Sequence, residues 1–342
     1  MTGFLRACAV AALAVATAGF VTPAEPALPP RLADGFGLTV VSQPAWVDDG
    51  RRTFAFTVRT AAVPAYGVLP GQVQGEHVVM VTLPTGYDST TRYRVQYTLH
   101  GAGDYPDAAR NKEIIEHATA GVPLITVMPN GSGRGWYTNW ADGTENWETF
   151  HLDQLVPFID ANLSTVATRE GRVISGHSMG GFGAFHYAED RPDLFSYVGS
   201  FSGGLDLLYW GQRIAVVTTE VSPLHGIPPV SPTAIFGPPG PAWRAQSPAQ
   251  HVGSLRGMGV AMYVGNGGSL VGDPVQGVVE YWARQTALTT ARNLDAAGIP
   301  YYFADYGDGS GWAPGCDGKH NDTECLRADM DHFVKLVMGN GP

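Results

Sequence analysis

The chain has 342 residues, of which 44% are hydrophobic and 15% charged, and its formal net charge at pH 7 is −10. This composition is sufficient for a large core and excludes a disordered protein, which would combine low hydrophobicity with high charge. The acidic balance, without a cluster of Lys and Arg, argues against nucleic acid as a partner, because phosphate binding needs clustered positive charge.

Residues 1–27 have the pattern of a secretory signal peptide. Arg6 precedes an apolar stretch at residues 7–21, and small and Pro-rich residues follow it. The apolar stretch is shorter than the roughly 20 residues that a membrane-spanning helix needs, so no stable membrane insertion is expected. We therefore predict a secreted protein, with one mature domain at residues 28–342.

Strands and helices alternate along the mature chain. Apolar runs bounded by turn residues predict strands at residues 53–59, 78–83, 94–99, 123–128, 171–175, 197–201, 260–264 and 301–305. Longer periodic segments predict helices at residues 108–119, 149–163, 180–189 and 278–297, and a last helix ending near residue 337. This order predicts an α/β fold, with a mostly parallel central sheet flanked by helices on both faces.

Residues 207–249 interrupt the alternation. The segment is rich in Pro and Gly, and residues 237–241 have the composition of a loop. Because long irregular insertions in compact enzymes usually cover or shape a binding site, we expect a cap-like insertion here.

The run Gly176-His177-Ser178-Met179-Gly180 matches the motif G-x-S-x-G. In this motif a sharp turn from strand to helix presents a nucleophilic serine, and here it lies between a predicted strand and a predicted helix, as the motif requires. We therefore predict that Ser178 is a nucleophile, with the start of the helix stabilising an oxyanion.

A nucleophilic serine needs a histidine as its base. His320 follows the last predicted strand, where the base is expected because the order along such a chain is serine, acid, histidine. Weaker candidates lie in the motif, inside helices or before the last strands: His177, His186, His225, His251 and His332. Cys316 and Cys325 flank His320, and in an oxidising compartment we predict that they form a disulfide.

Three carboxylates are candidates for the acid. Asp273 is favoured because it follows the strand at 260–264 through a short loop, where the third member of the triad is expected. Glu280, further along and inside a predicted helix, and Asp206, after the preceding strand, are the alternatives. For the oxyanion, we predict the backbone N–H groups of Met179 and of Ala102, which follows the turn at Gly101.

A series of motifs in this chain resembles the esterase D-like family of secreted esterases and the related mycobacterial mycolyltransferases of the antigen 85 complex. The motifs are LPTGYD at 83–88, LHG at 99–101, GWYTNW at 135–140, WETF at 147–150, GHSMGG at 176–181 and GNG at 265–267. The resemblance covers about residues 75–338. It implies an α/β-hydrolase fold and a Ser-acid-His triad, with no cofactor. We predict no metal among the site residues.

Two departures from the mycolyltransferases favour ester hydrolysis. Those enzymes carry a basic residue where this chain has Gly103, and tryptophans just after the histidine, where it has residues 321–325. We expect hydrolysis of an ester or acyl donor, either a small molecule or a lipid. Acyl transfer to a sugar or lipid alcohol and a non-catalytic binding protein are the alternatives. The residues expected to contact substrate are His100, Trp136, Tyr137, Trp140 and His177, with core packing as the alternative for the three aromatic residues of the 130–143 loop.

Overall fold

The computed structural model describes residues 28–64, 73–223, 227–269 and 271–339. The predicted signal peptide, at residues 1–27, lies outside the described residues, as does His225. None of the helices in the described part of the chain combines the length and the apolar character that crossing a membrane requires.

The centre of the molecule is a nine-stranded sheet with the strand order β1-β2-β3-β5-β4-β6-β7-β8-β9. Its strands are β1 (Thr39–Trp46), β2 (Thr53–Arg59), β3 (Glu76–Thr82), β4 (Arg94–Leu99), β5 (Leu124–Pro129), β6 (Arg172–His177), β7 (Tyr197–Phe201), β8 (Gly259–Val264) and β9 (Tyr302–Asp305). β1, β2 and β3 pair antiparallel, β3 joins β5 antiparallel, and all later pairs are parallel. The predicted, mostly parallel sheet is confirmed.

In the described part of the chain, seven α-helices connect or cover the strands. They are α1 (Ala109–Ala118), α2 (Val156–Asn162), α3 (Met179–Asp190), α4 (Trp210–Val221), α5 (Pro241–Ala245), α6 (Pro274–Ala297) and α7 (Thr323–Val337). The helix predicted at 149–163 begins as a π-helical turn, Thr149–Leu155, and continues as α2. Pro157 lies at the second position of α2, directly after the π-helical turn.

The core lies on both faces of the sheet. Every residue of β6 is buried. Ile174 belongs to the same cluster of buried side chains as Phe182 of α3, whereas its neighbour Val173 belongs to the cluster of Phe333 of α7. Because successive side chains of a strand point to opposite faces, β6 must be covered on both sides, which explains its continuous apolar run.

The insertion at 207–249 is more regular than the sequence predicts, since it contains α4 and α5. The helical pattern of α4 is weak because its sequence, WGQRIAVVTTEV, is rich in β-branched residues and contains a glycine. The glycine, Gly211, is required by packing, because a Cβ atom at this position would lie 2.6 Å from the ring of Trp282 in α6. The insertion therefore forms a helix packed on α6.

Candidate active site

Ser178 lies at the turn between β6 and α3, with a backbone φ of 56° and ψ of −117°. A positive φ is strained for a residue with a side chain and is typical of serines at this kind of turn. The turn requires its two glycines, because a Cβ atom at Gly176 would overlap the carbonyl oxygen of Gly180, and one at Gly180 would overlap that of Leu99. The side chain of Ser178 lines a cavity at the carboxyl ends of the parallel strands.

The structure brings His320 to Ser178. The Nε2 atom of His320 lies 2.7 Å from Oγ of Ser178, across 142 residues of sequence. His320 is in the loop between β9 and α7. Cys316 and Cys325, which flank it in sequence, form the predicted disulfide. This covalent link restrains the segment that positions the imidazole.

His177 supports the same loop through the backbone. Its Nε2 atom donates to the carbonyl oxygen of His320 at 2.8 Å. Burial is the main cause that lowers the pKa of His177 to about 3, and the nearby imidazole of His320 lowers it further. His177 is therefore neutral at ordinary pH, with its proton on the nitrogen that makes this hydrogen bond.

The carboxylate that contacts the other ring nitrogen of His320 belongs to Glu280. Its Oε2 atom lies 2.8 Å from Nδ1 of His320. Its Oε1 atom accepts a hydrogen bond from Oγ of Ser202 at 2.8 Å and one from the N–H of Gly265 at 2.6 Å. Glu280 is fully buried, and these donors compensate for the lost hydration of its carboxylate.

The expectation that Asp273 is the acid is corrected by this geometry. Helix α6 begins at Pro274, earlier than predicted, and Asp273 is its N-cap, with Oδ1 accepting from the N–H of Gln276 at 3.2 Å. Asp273 is exposed, whereas Glu280 lies on the buried side of the same helix. Asp206 is occupied elsewhere, since its Oδ1 atom accepts from Oγ of Ser247 at 3.2 Å and from the N–H of Leu208 at 2.9 Å.

Ala102 and Met179, the two predicted oxyanion donors, both line the cavity beside Ser178. Gly101 allows the loop to approach closely, because a Cβ atom there would lie 3.1 Å from Nδ1 of His177 and 3.4 Å from Cβ of Ser178. Further along this loop, the N–H of Gly103 donates to the carbonyl of Gly133 at 2.9 Å. Met179 is the first residue of α3, where backbone N–H groups have no acceptor within the helix.

Of the five residues expected to contact substrate, Trp136 and His177 line the cavity. The other three are corrected: His100, Tyr137 and Trp140 are buried and hold loops together. Nε2 of His100 accepts from the N–H of Gly131 at 2.9 Å, the hydroxyl of Tyr137 donates to the carbonyl of His100 at 2.9 Å, and Nε1 of Trp140 donates to the carbonyl of Gly135 at 3.0 Å. Their polar atoms serve the backbone of the loops that surround the site.

The cavity has a volume of about 910 Å³, and much of its wall was missed by sequence reasoning. Helices α4 and α6 supply apolar side chains to it: Ile214, Ala215, Val275, Val278, Val279 and Trp282. The sequence did not indicate this part of the wall because α4 lies in the segment predicted to be irregular. Much of the apolar lining of the cavity therefore comes from the helix of the insertion and the helix that carries Glu280.

The Esterase family model matches residues 71–323, which include Ser178, Glu280 and His320. The chain belongs to the Esterase family. It is 39% identical over 180 residues to Esterase Rv1288 of Mycobacterium tuberculosis, a match that covers 51% of this chain and 37% of that protein. It is 30% identical over 155 residues to the diacylglycerol acyltransferase/mycolyltransferase Ag85B of Mycobacterium avium, covering 42% of this chain and 45% of that protein.

The chain thus spans less than half the length of these two curated relatives. Among solved structures, the crystal structure of Mycobacterium tuberculosis MPT51 superposes with a TM-score of 0.62 at 19% identity, covering 82% of this chain and 100% of that one. This match confirms the α/β-hydrolase fold. The resemblance to esterases and antigen 85 mycolyltransferases is likewise confirmed.

Proposed function

We propose that this protein is a secreted serine carboxylic-ester hydrolase with a Ser178-His320-Glu280 triad. The observation that carries the proposal is the unbroken contact chain from Oγ of Ser178 through both ring nitrogens of His320 to Glu280. Membership of the Esterase family supports the reaction class. The disulfide and the signal-like residues 1–27 support export, because disulfides persist in oxidising compartments.

In the first half of the reaction, Oγ of Ser178 attacks the ester carbonyl while Nε2 of His320 takes its proton. Glu280 holds the imidazole in the tautomer with the proton on Nδ1 and stabilises the imidazolium that forms. The negative oxygen of the tetrahedral intermediate accepts hydrogen bonds from the N–H groups of Ala102 and Met179. His320 then protonates the leaving alcohol, and the acyl group stays on Ser178 as an ester.

In the second half, His320 takes a proton from a water molecule that attacks the acyl-enzyme. The same oxyanion site stabilises the second tetrahedral intermediate, and the carboxylic acid leaves as Oγ of Ser178 regains its proton from His320. An alcohol in place of water would give a new ester. The triad serves both reactions, so the occupant of the acceptor position decides between hydrolysis and transfer.

The walls of the cavity favour an ester with a hydrophobic group. Trp282 and Val279 of α6 face the cavity together with Ile214 and Ala215 of α4. Large apolar side chains are also exposed here: Val275, which is 64% exposed, lines the cavity, and Trp210, which is 59% exposed, packs on the cavity residue Trp282 with ring centroids 5.5 Å apart. Because burial of apolar surface is the main attraction for such side chains, an acyl chain or lipid ester suits this site.

Acyl transfer is the second candidate, because a relative is named a diacylglycerol acyltransferase/mycolyltransferase. The test is to incubate the purified mature protein with p-nitrophenyl butyrate and p-nitrophenyl palmitate, with and without trehalose or glycerol. Mass spectrometry of the products then separates the two reactions. Free fatty acid as the main product in the presence of both alcohols supports hydrolysis, whereas acylated alcohol as the main product overturns it in favour of transfer.

A further inference from the structure

A second group of chemically active side chains lies at the opposite end of α3 from Ser178. Glu148, which directly precedes the π-helical turn Thr149–Leu155, meets His186 and Asp190, which are one helical turn apart in α3. We call these three residues the His186 cluster. One ligand atom from each, Oε2 of Glu148, Nε2 of His186 and Oδ2 of Asp190, lies within 4.8 Å of the other two.

His186 is the residue that distinguishes this cluster from an ordinary acidic surface. Its side chain is only 6% exposed, and within the described part of the chain Nε2 has no hydrogen-bond partner. That nitrogen points at the two carboxylates, 3.5 Å from Oδ2 of Asp190 and 3.7 Å from Oε2 of Glu148. Both distances exceed those of normal N–H···O hydrogen bonds, so a buried polar atom faces two acceptors without bonding to either.

The two spacings measured from Nε2 of His186, 3.5 and 3.7 Å, are close to those between neighbouring ligand atoms around one metal ion. Zinc binds imidazole nitrogen and carboxylate oxygen at about 2.0–2.2 Å, which separates neighbouring ligand atoms of a tetrahedral site by roughly 3.3–3.6 Å. The His186 imidazole is held in place by stacking on Phe182, with ring centroids 5.6 Å apart and an interplanar angle of 16°. Histidine and aspartate four residues apart on a helix share one face, which is suitable for joint ligation.

The charges favour a cation at the same place. A carboxylate oxygen of Glu148 and one of Asp190 lie within 4.8 Å of each other. Two carboxylates close to each other repel, and a divalent cation between them would remove that repulsion.

We propose that Glu148, His186 and Asp190 bind one divalent cation of the zinc or manganese type, with water completing the coordination. One nitrogen and two carboxylate oxygens suit these ions better than calcium or magnesium, which prefer ligand sets made only of oxygen. The ion links the start of the π-helical turn to the last turn of α3. It takes no part in the chemistry at Ser178, so this inference does not rest on the proposed function.

The test is isothermal titration of ZnCl₂ and of MnCl₂ into tag-free mature protein that has been treated with EDTA and desalted. The wild type should bind one ion at this site. His186→Gln and Asp190→Asn should each weaken that binding by at least about tenfold, since even the loss of groups that only orient metal ligands costs that much. Asp190 lies at the surface end of α3 with its side chain 47% exposed, so Asp190→Asn keeps the test valid if His186→Gln does not fold.

The matched control is His117→Gln. His117 also faces a carboxylate, with Nδ1 3.0 Å from Oδ1 of Asp331, but it is not part of the His186 cluster. This variant should bind the ion as the wild type does. EDTA should lower the melting temperature of the wild type and of His117→Gln, but not that of His186→Gln. Absence of saturable binding of either ion, or equal affinity and stoichiometry in wild type and both cluster variants, would overturn the proposal.

Discussion

Oε2 of Glu280 lies 2.8 Å from Nδ1 of His320, although 40 residues separate the two in the chain. The same carboxylate receives hydrogen bonds from Ser202 and Gly265 on its other oxygen. Glu280 is thus held between His320 and the residues that follow β7 and β8, and it contacts one imidazole, that of His320.

The first prediction compares Glu280→Gln with Asp273→Asn. Amidation of Glu280 removes the charge that stabilises the imidazolium and disturbs the tautomer of His320, so kcat should fall by about 10³ to 10⁴. Asp273→Asn should leave kcat near the wild-type value, because asparagine is an equally good N-cap for α6. Steady-state kinetics on one p-nitrophenyl ester measures both. A large loss in Asp273→Asn with a normal rate in Glu280→Gln would reverse the assignment.

The second prediction is that Ser202 positions the carboxylate of Glu280. Its φ is 52°, and its Oγ donates to Oε1 of Glu280 at 2.8 Å. Loss of a hydrogen bond to a charged group costs about 1.5–3 kcal/mol, so Ser202→Ala should lower kcat by roughly 10- to 100-fold with little change in KM. An unchanged kcat in Ser202→Ala would show that Ser202 has only a structural role.

Buried neutral histidines predict acid sensitivity of the fold. Burial lowers the pKa of His151 to about 3, and its ring contacts the hydroxyl of Tyr187 at 2.9 Å and the carbonyl of Asn130 at 3.0 Å. In the unfolded chain this histidine takes up a proton below pH 6.5, whereas the folded protein does not until about pH 3. Its contribution to stability is therefore complete above pH 6.5 and decreases, by about 1.4 kcal/mol per pH unit, as the pH falls.

Urea unfolding at pH 7.5, 6.0 and 5.0 measures this effect when the wild type is compared with His151→Gln. The difference in the free energy of unfolding between the two proteins should shrink as the pH falls, because the variant lacks the titrating group. A difference that stays constant or grows over this range would contradict the buried, neutral state of His151.

The shape of the cavity predicts a change in chain-length preference. Ala215 of α4 lines the cavity with a small side chain. Ala215→Trp should reduce kcat/KM for p-nitrophenyl palmitate by at least about tenfold, since a bulky side chain excludes part of the acyl group, and should affect p-nitrophenyl acetate little. Equal losses on both esters, or no loss on either, would place the acyl group elsewhere.

Much of the fold and part of the site could be predicted from the sequence. The alternation of apolar strands and helices indicated the parallel sheet, and the turn around Ser178 and the loop of His320 follow from local patterns. Glu280 ranked below Asp273 because the choice depended on where α6 begins, and Pro274 moved that start forward so that Asp273 became its cap. Helix boundaries are set by capping and tertiary contacts that periodicity does not resolve.

The aromatic residues of the 130–143 loop show a second limit. Trp136, Tyr137 and Trp140 lie within five positions of each other, and only Trp136 lines the cavity. Tyr137 is instead buried and hydrogen-bonded to the backbone of His100, in a loop where Tyr137 itself has a φ of 46°. Such backbone reversals decide which side chain points inward, and a sequence pattern does not encode them directly.

The most direct test of the central claim is intact-protein mass spectrometry after treatment with a fluorophosphonate. A nucleophilic serine attacks the phosphorus of this reagent, forms an O–P bond and displaces fluoride. The account predicts one adduct per chain, located by peptide mapping on Ser178, with none in Ser178→Ala and strongly slowed labelling in His320→Ala. Labelling of Ser178→Ala at the wild-type rate, or an adduct mapped to another residue in the wild type, would contradict it.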